Sequence, residues 1–398
     1  MPVRFAMPDG THPAEVDDAR LKIALMVRRF VPAAGGLESW AHDLAKALLA
    51  RGCRVRVLTT AADASIPGLE VTQVPSADDP MRQARLFEAT AERLSGEIVH
   101  DTGVGLGCDL FQPQMGCQTL NLARHVAIQP ALGRLRFMVS PKARRYARSV
   151  REREAAQLRS ARAVIAVSNE TASVFRDRFG VDADRIIAIP NGIDTQRFHP
   201  AHARQGRAPL RRSMNISDDT LVLLAAANNF RLKGLQLTIE ALAALRRRDM
   251  LLLVAGDGET REFKALASAA GVADKVRFLG RIDDMPSLYG AADLFVHPSA
   301  HDACSLATLE AMASGLPVIT TRFNGAADGM AHGREGLLLA NLSASAMVDA
   351  LTELSDPDRR AAIGLHARRL AERHDFHDTV DKLMAVYQML HRHPRFQQ

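Results

Sequence analysis

Cysteine is scarce. Four residues, Cys53, Cys108, Cys117 and Cys304, are spread over 398 positions without a C-x-x-C pair. That spacing excludes a disulfide scaffold and a zinc site of paired thiols, and it points to a reducing, cytoplasmic compartment. No apolar run approaches the length that crosses a bilayer, so the chain does not read as an integral membrane protein. The first stretch, MPVRFAMPDGTHPAEVDDAR, has no apolar centre of the signal-peptide kind and reads as a loose leader over residues 1–20. Neither the G-x-G-x-x-G dinucleotide fingerprint nor a P-loop occurs. Low-complexity tracts are missing too. No metal-ligand cluster stands out, because Asp78-Asp79 and Asp283-Asp284 lie in polar turns and read as helix caps.

What is present is an ordinary globular composition with one local anomaly. Hydrophobic residues at 47% and charged residues at 24% exclude a disordered or collagen-like chain, and the length suits two to three domains. The formal charge is +6, with a pI near 9.4. Between Arg134 and Arg162 ten Arg and Lys stand against Glu152 and Glu154. That segment carries the whole excess and leaves the remainder close to neutral. The chain therefore reads as a near-neutral protein with a basic patch.

Strand and helix patterns alternate. From Lys22, the run IALMV reads as a buried strand, FVPAAGG as a loop, and Leu37, Trp40, Ala41, Leu44 and Leu48 as one helix stripe. Gly52 ends the helix and VRVLTT completes a βαβ unit. The grammar restarts at LVLLAAA (221–227) and continues through LQLTIEALAAL, MLLLVAGDGE, VRFLG, DLFVHPSA, PVITT and GLLLA. Such alternation implies α/β architecture with parallel sheets covered by helices, here two doubly wound domains. The spacing predicts a first domain over 21–190, a second over 191–375 and a hinge near IAIPNGIDTQRFHP. A last helix falls at 376–393, after the second sheet.

Ligands of such sheets sit beyond the carboxyl ends of strands, near helix N-termini. Four segments occupy such positions. Gly35-Gly36 follows the first strand and suits either close approach to a ligand or a tight turn. Arg231 and Lys233 follow the strand that opens the second domain, and two cations there suit a diphosphate or a solvated loop. In SAHDACSLATLE, the residues Asp302, Ala303, Cys304 and Ser305 lead into a helix whose first amides would attract a phosphate. Glu310 lies on that helix among apolar neighbours, and its carboxylate suits a pair of sugar or ribose hydroxyls. Finally, His100-Asp101 ends an apolar pair. Asp101 could serve acid–base chemistry or acceptor hydroxyls there, against a structural reading of the same couple.

In this order the segments GGLESWAHDLAKALLARGCRVRVLT, VIAVSNET, IPNGIDTQRFHP, RLKG, LLLVAGDGE, VRFLGRIDDM, LYGAADLFVHPS and LEAMASGLPVITT resemble glycosyltransferase family 4, nucleotide-sugar-dependent enzymes of the two-lobed GT-B architecture. The segments FVPAAGGLE, RLKG and HPSAHDACSLATLEA are most similar to the branch that adds a hexose to heptose of the lipopolysaccharide inner core. The resemblance implies a GT-B fold with two Rossmann-like domains facing a cleft, its last helix crossing back to the first. It implies retaining transfer of a hexose from a donor such as UDP-glucose, with no metal or other cofactor. It assigns the diphosphate to Arg231, Lys233 and the amides of Leu306 and Ala307, and the ribose to Glu310. The base falls to backbone at Arg281 and Ile282, the nucleotide floor to Gly256 and Gly258, and the donor phosphate and acceptor to Gly35 and Gly36. One departure stands out. The family pattern has two glutamates, and Asp302 replaces the first, so the resemblance implies binding of the sugar hydroxyls through a side chain shorter by one carbon–carbon bond of about 1.5 Å, and a donor that could differ from glucose.

The basic segment contains RLRFMVSPKARRYARSVRERE, with Phe137, Met138, Tyr146 and Val150 among the cations. No nucleic-acid motif accompanies it. Arg136, Lys142, Arg144, Arg145 and Arg148 suit an anionic membrane surface and a lipid-linked glycan acceptor at the inner face of a bacterial cytoplasmic membrane. Each such cation contributes about 1 kcal/mol near an anionic surface. A solvated helix face is the competing reading. Other readings of the whole chain are a hexosyltransferase of exopolysaccharide assembly on a polyprenyl-diphosphate-linked glycan, a non-catalytic nucleotide-sugar-binding scaffold, and a Rossmann oxidoreductase. The last lacks its fingerprint.

Overall fold

The computed structural model describes residues 21–63 and 65–393, so the leader expected over 1–20 lies outside the described residues. The chain divides into two compact units, one of Met1–Pro190 with His377–Gln398, the other of Asn191–Phe376.

Unit 1 is built on a parallel sheet of β1 (Lys22–Met26), β2 (Arg54–Thr59), β3 (Glu70–Gln73), β4 (Ile98–Asp101), β5 (Leu110–Phe111), β6 (Ala163–Ala166) and β7 (Ile186–Ala188), in the order β3-β2-β1-β4-β5-β6-β7. Its helices are α1 (Gly36–Ala50), α2 (Pro80–Ala91), α3 (Gln118–Ala127), α4 (Ala131–Val139), α5 (Pro141–Ser160) and α6 (Asn169–Phe179). The central strands are apolar throughout because helices cover both faces of a doubly wound sheet. Met26, Leu58, Phe87, Phe111, Leu158, Val164 and Phe175 share one core. The stripe expected on α1 buries Trp40, Ala41, Leu44 and Leu48.

Unit 2 repeats the plan with β8 (Leu221–Ala226), β9 (Met250–Ala255), β10 (Val276–Gly280), β11 (Leu294–His297), β12 (Val318–Thr321) and β13 (Leu337–Leu339), in the order β10-β9-β8-β11-β12-β13, all parallel. Its helices are α7 (Pro200–Ser213), α8 (Leu235–Leu245), α9 (Arg261–Ala269), α10 (Met285–Ala291), α11 (Leu306–Ala313), α12 (Ala344–Glu353) and α13 (Pro357–Ala371). Leu223, Ile239, Leu242, Leu252, Val254, Leu294 and Ile319 form its core.

The last helix, α14 (Phe376–Arg392), completes unit 1. It buries Val380, Leu383, Val386, Tyr387 and Leu390. Tyr387 Oη lies 2.7 Å from His100 Nδ1, and Arg162 donates to the Leu390 carbonyl at 3.0 Å.

In each sheet the strand order reverses once, between β1 and β4 in unit 1 and between β8 and β11 in unit 2. Connections at such a point leave to opposite faces and open a crevice beyond the strand ends. In unit 2 the loops after β8 and β11 flank that crevice.

Candidate donor site

The loop after β8 carries Arg231 and Lys233, and the loop after β11 carries Asp302. They are stitched together by backbone. Ala300 N donates to the Leu232 carbonyl at 2.9 Å, and Ser299 Oγ donates to the same oxygen at 3.3 Å. Gly234 makes the approach possible: with φ of 74°, a side chain there would bring Cβ within 2.2 Å of the Pro298 carbonyl. The result delivers Lys233 Nζ to Asp302 Oδ2 at 2.6 Å and to the His301 carbonyl at 2.9 Å.

Asp302 Oδ2 also lies 3.0 Å from His297 Nε2. Burial raises the Asp302 carboxyl, but the Lys233 charge and the His297 hydrogen bond outweigh it and hold the group well below the usual carboxylate range. Burial drives His297 down despite its carboxylate partner, so the ring is neutral near pH 7. Arg231 reaches outward and is paired with Glu262 on α9.

Helix α11 begins where the sequence places it. Ser305 caps it, accepting from Thr308 N at 3.2 Å. The first helical amides, Leu306 and Ala307, have no acceptor within the helix and carry the positive end of its dipole. Ala303 and Cys304 are buried just before the cap. Burial pushes the Cys304 thiol up to about 12, so it stays protonated. Glu310 accepts from Tyr289 Oη at 2.8 Å. Desolvation raises its carboxyl, opposed by Tyr289 and by the charge of Arg197.

Two supporting residues escape sequence reasoning. Asn324, fully buried, accepts from Ser305 N at 3.3 Å and donates to Thr308 Oγ1 at 3.0 Å and Thr320 Oγ1 at 3.1 Å, tying α11 to β12. Asn191 donates to the Cys304 carbonyl at 3.1 Å. Both stand in glycine-containing turns, and only their tertiary partners mark them.

Gly256 and Gly258 lie after β9. Gly256, at φ of 121°, would bring a Cβ within 1.9 Å of the Ala227 carbonyl, and at Gly258 a Cβ would meet the Phe230 ring at 2.7 Å. Their bareness thus lets this turn lie against the 227–230 loop. Arg281 and Ile282 follow β10, with Arg281 exposed and 3.4 Å from Asp283. Asp79 and Asp284 are helix caps, as their turns imply.

Unit 1 holds the remaining candidates. Gly35 caps α1 and Gly36 opens it. Asp101 requires a correction. It is fully buried, and its carboxylate accepts from the amides of Gly103, Val104 and Gly105 at 2.6–3.1 Å and from Gln157 Nε2 at 3.2 Å. With every donor supplied by its own unit and no exposed face, it holds the loop after β4 and is not positioned for acid–base chemistry. His100, also fully buried and driven down to about 3 by desolvation, docks α14.

Arg136, Lys142, Arg144, Arg145 and Arg148 are exposed on α4 and α5. Val150 departs from its expected place among the cations, being buried under α5. The structure adds an apolar strip that the charge count did not reveal. Leu132, Leu135, Met138 and Val139 of α4 are 52–79% exposed, with no buried residue on that helix.

Two Rossmann-like units, one carrying paired cations and a helix N-terminus at its strand-order reversal, define a GT-B nucleotide-dependent transferase. The sequence matches the Glycosyltransferase Family 4 profile over residues 34–197 and the Glycosyl transferases group 1 profile over 219–356. The chain belongs to the family 4 glycosyltransferases, enzymes that take a sugar from a nucleotide donor. The lipopolysaccharide glucosyltransferase WaaG of Escherichia coli strain K12 is 27% identical over 372 residues, which are 90% of this chain and 96% of that protein. A crystal structure of WaaG, a glycosyltransferase involved in lipopolysaccharide biosynthesis, matches with a TM-score of 0.77 at 25% identity, covering 92% of this chain and 99% of that one. A D-inositol 3-phosphate glycosyltransferase of Corynebacterium urealyticum is 32% identical over 241 residues, and the alignment spans only 57% of each protein. No helix among the described residues is long and apolar enough to cross a membrane.

Proposed function

We propose that this enzyme transfers glucose from UDP-glucose, with retention and without a metal, to a lipid-linked glycan acceptor of the lipopolysaccharide-core kind. It does so while docked on the anionic inner face of the cytoplasmic membrane. The observation that carries the reading is the likeness to WaaG, which runs end to end in sequence and again in the fold, at a TM-score of 0.77.

The geometry suits such chemistry. As the bond between sugar and diphosphate loosens toward an oxocarbenium-like state, negative charge grows on the leaving phosphate. Arg231, Lys233 and the amides of Leu306 and Ala307 meet that charge, and Glu310 accepts from the ribose hydroxyls. The acceptor hydroxyl attacks from the same face and passes its proton to the leaving phosphate. Stabilising developing charge with fixed dipoles and aligning the acceptor are the protein's two tasks. Membrane docking is supported by the apolar strip of α4 beside the exposed cations of α5, the build of an interfacial helix.

The test is transfer by purified protein from UDP-glucose, UDP-galactose, UDP-N-acetylglucosamine and GDP-mannose to heptose-terminated core lipid and to inositol 3-phosphate. Glucose should pass from UDP-glucose to the core lipid alone; transfer to inositol 3-phosphate would overturn the acceptor reading. Arg231→Ala should lower turnover about 100-fold or more with an unchanged melting temperature, and Lys233→Ala should lower turnover as much while also lowering the melting temperature near neutral pH, because buried Asp302 loses its ammonium partner.

A further inference from the structure

Asp302 stands where the family pattern has glutamate, and its carboxylate is already engaged by two side chains of the protein. Oδ2 receives both Lys233 Nζ at 2.6 Å and His297 Nε2 at 3.0 Å. The backbone around it is fixed, since Asp302 N donates to the Phe323 carbonyl and the Asp302 carbonyl accepts from Gly325 N, each at 2.9 Å. His297 is fixed as well. It ends β11, its side chain is 3% exposed, its ring stacks on Phe295 with centroids 6.0 Å apart, and its carbonyl accepts from Thr320 Oγ1 at 2.9 Å. Because an ionised carboxylate only accepts, the neutral ring must carry its proton on Nε2.

We propose that Asp302 anchors Lys233 in this enzyme and that His297 is a positioning residue for Asp302, so the carboxylate acts on the diphosphate end of the donor through the lysine. A lysine ammonium has three donors. Two are committed here, to Asp302 and to the His301 carbonyl, which leaves the third preset for a phosphate oxygen on an otherwise flexible side chain. A glutamate on the same fixed backbone would extend about 1.5 Å further and displace the ammonium. The shorter side chain is thus fitted to the clamp.

This inference rests on the donor-site reading, and a ligand without sugar separates the two. Calorimetric dissociation constants would be measured for UDP and for UDP-glucose with the unaltered enzyme and with His297→Leu, His297→Gln and Asp302→Glu, each checked for an unchanged melting profile. A hydrogen bond to a charged group is worth about 1.5–3 kcal/mol, so His297→Leu and Asp302→Glu should weaken UDP and UDP-glucose alike, by about tenfold or more. His297→Gln, whose amide can replace the Nε2 donor, should recover most of the affinity. If UDP binds the variants normally while UDP-glucose alone is weakened, Asp302 reads the sugar and the clamp is overturned. Unchanged binding of both ligands by His297→Leu overturns the role of His297. Absence of UDP, GDP and ADP binding by the unaltered enzyme would overturn the donor-site reading itself.

Discussion

Two carboxylates of one short segment are displaced in opposite directions, and the difference is measurable. Asp302 is held low by Lys233 and His297 against the effect of its burial, so its contribution to stability is present above the unfolded value of 3.8 and fades as pH falls through the depressed folded value. The melting-temperature gap between the enzyme and Asp302→Asn should therefore be widest near neutrality and close in strong acid. Glu310 is raised by desolvation. If its ionised form accepts the ribose hydroxyls, UDP affinity should drop on acidification at a pH above the ordinary 4.5, and Glu310→Gln should bind weakly with no such dependence, as read by titration between pH 4 and 8. Lys233 and Glu310 were legible because they stand in motifs at strand and helix ends. Asn324 and Tyr289 were not, since their roles depend on partners brought near only by the sheet. Asp101 misled for the same reason: a strand-end carboxylate reads as chemistry until the amides that consume it are seen.

At the scale of elements, α5 has two faces with separate duties. Its inner face carries Val150, Glu154, Gln157 and Leu158. Glu154 caps α3 from a neighbouring helix, accepting from Gln118 N at 2.7 Å and Thr119 N at 3.0 Å. By charge counting Glu154 was merely an offset to the basic patch, because a sequence does not tell an acid that faces water from one that faces another helix. Glu154→Gln should cost about 1–3 kcal/mol in chemical denaturation. Arg145→Glu, on the exposed face, should change stability by no more than about 0.5 kcal/mol and still reduce co-sedimentation with anionic vesicles. Binding indifferent to lipid charge or to added salt would sink the membrane reading. The long apolar strands were plain from their runs. β3, with the mostly exposed sequence EVTQ, and β5, only Leu110–Phe111, gave no such signal.

At the scale of the whole molecule, the repeated strand-and-helix grammar made both sheets legible, whereas the return of α14 to unit 1 was legible through the family resemblance alone and its contacts needed the structure. That helix supplies Leu383, Tyr387 and Leu390 to unit 1 from the far end of the chain. A chain ending at Asp375 should lose the cooperative unfolding of unit 1 while unit 2 keeps its UDP-dependent rise in melting temperature, since a ligand stabilises the folded state that binds it. Equal stability of both units after truncation would show α14 to be dispensable.

The split of unit 1 also sets an order of birth. Domains commonly fold as they leave the ribosome, at about 5–20 residues per second and from the N-terminus onward. Here the first-made sheet waits for its last helix, and Asn191–Phe376 emerges whole beforehand. Unit 2 should therefore mature first, leaving the nascent sheet of unit 1 with an uncovered seam along His100 and Cys53 until α14 emerges. That seam is where a chaperone would be needed, and for how long is fixed by the length of the unit in between.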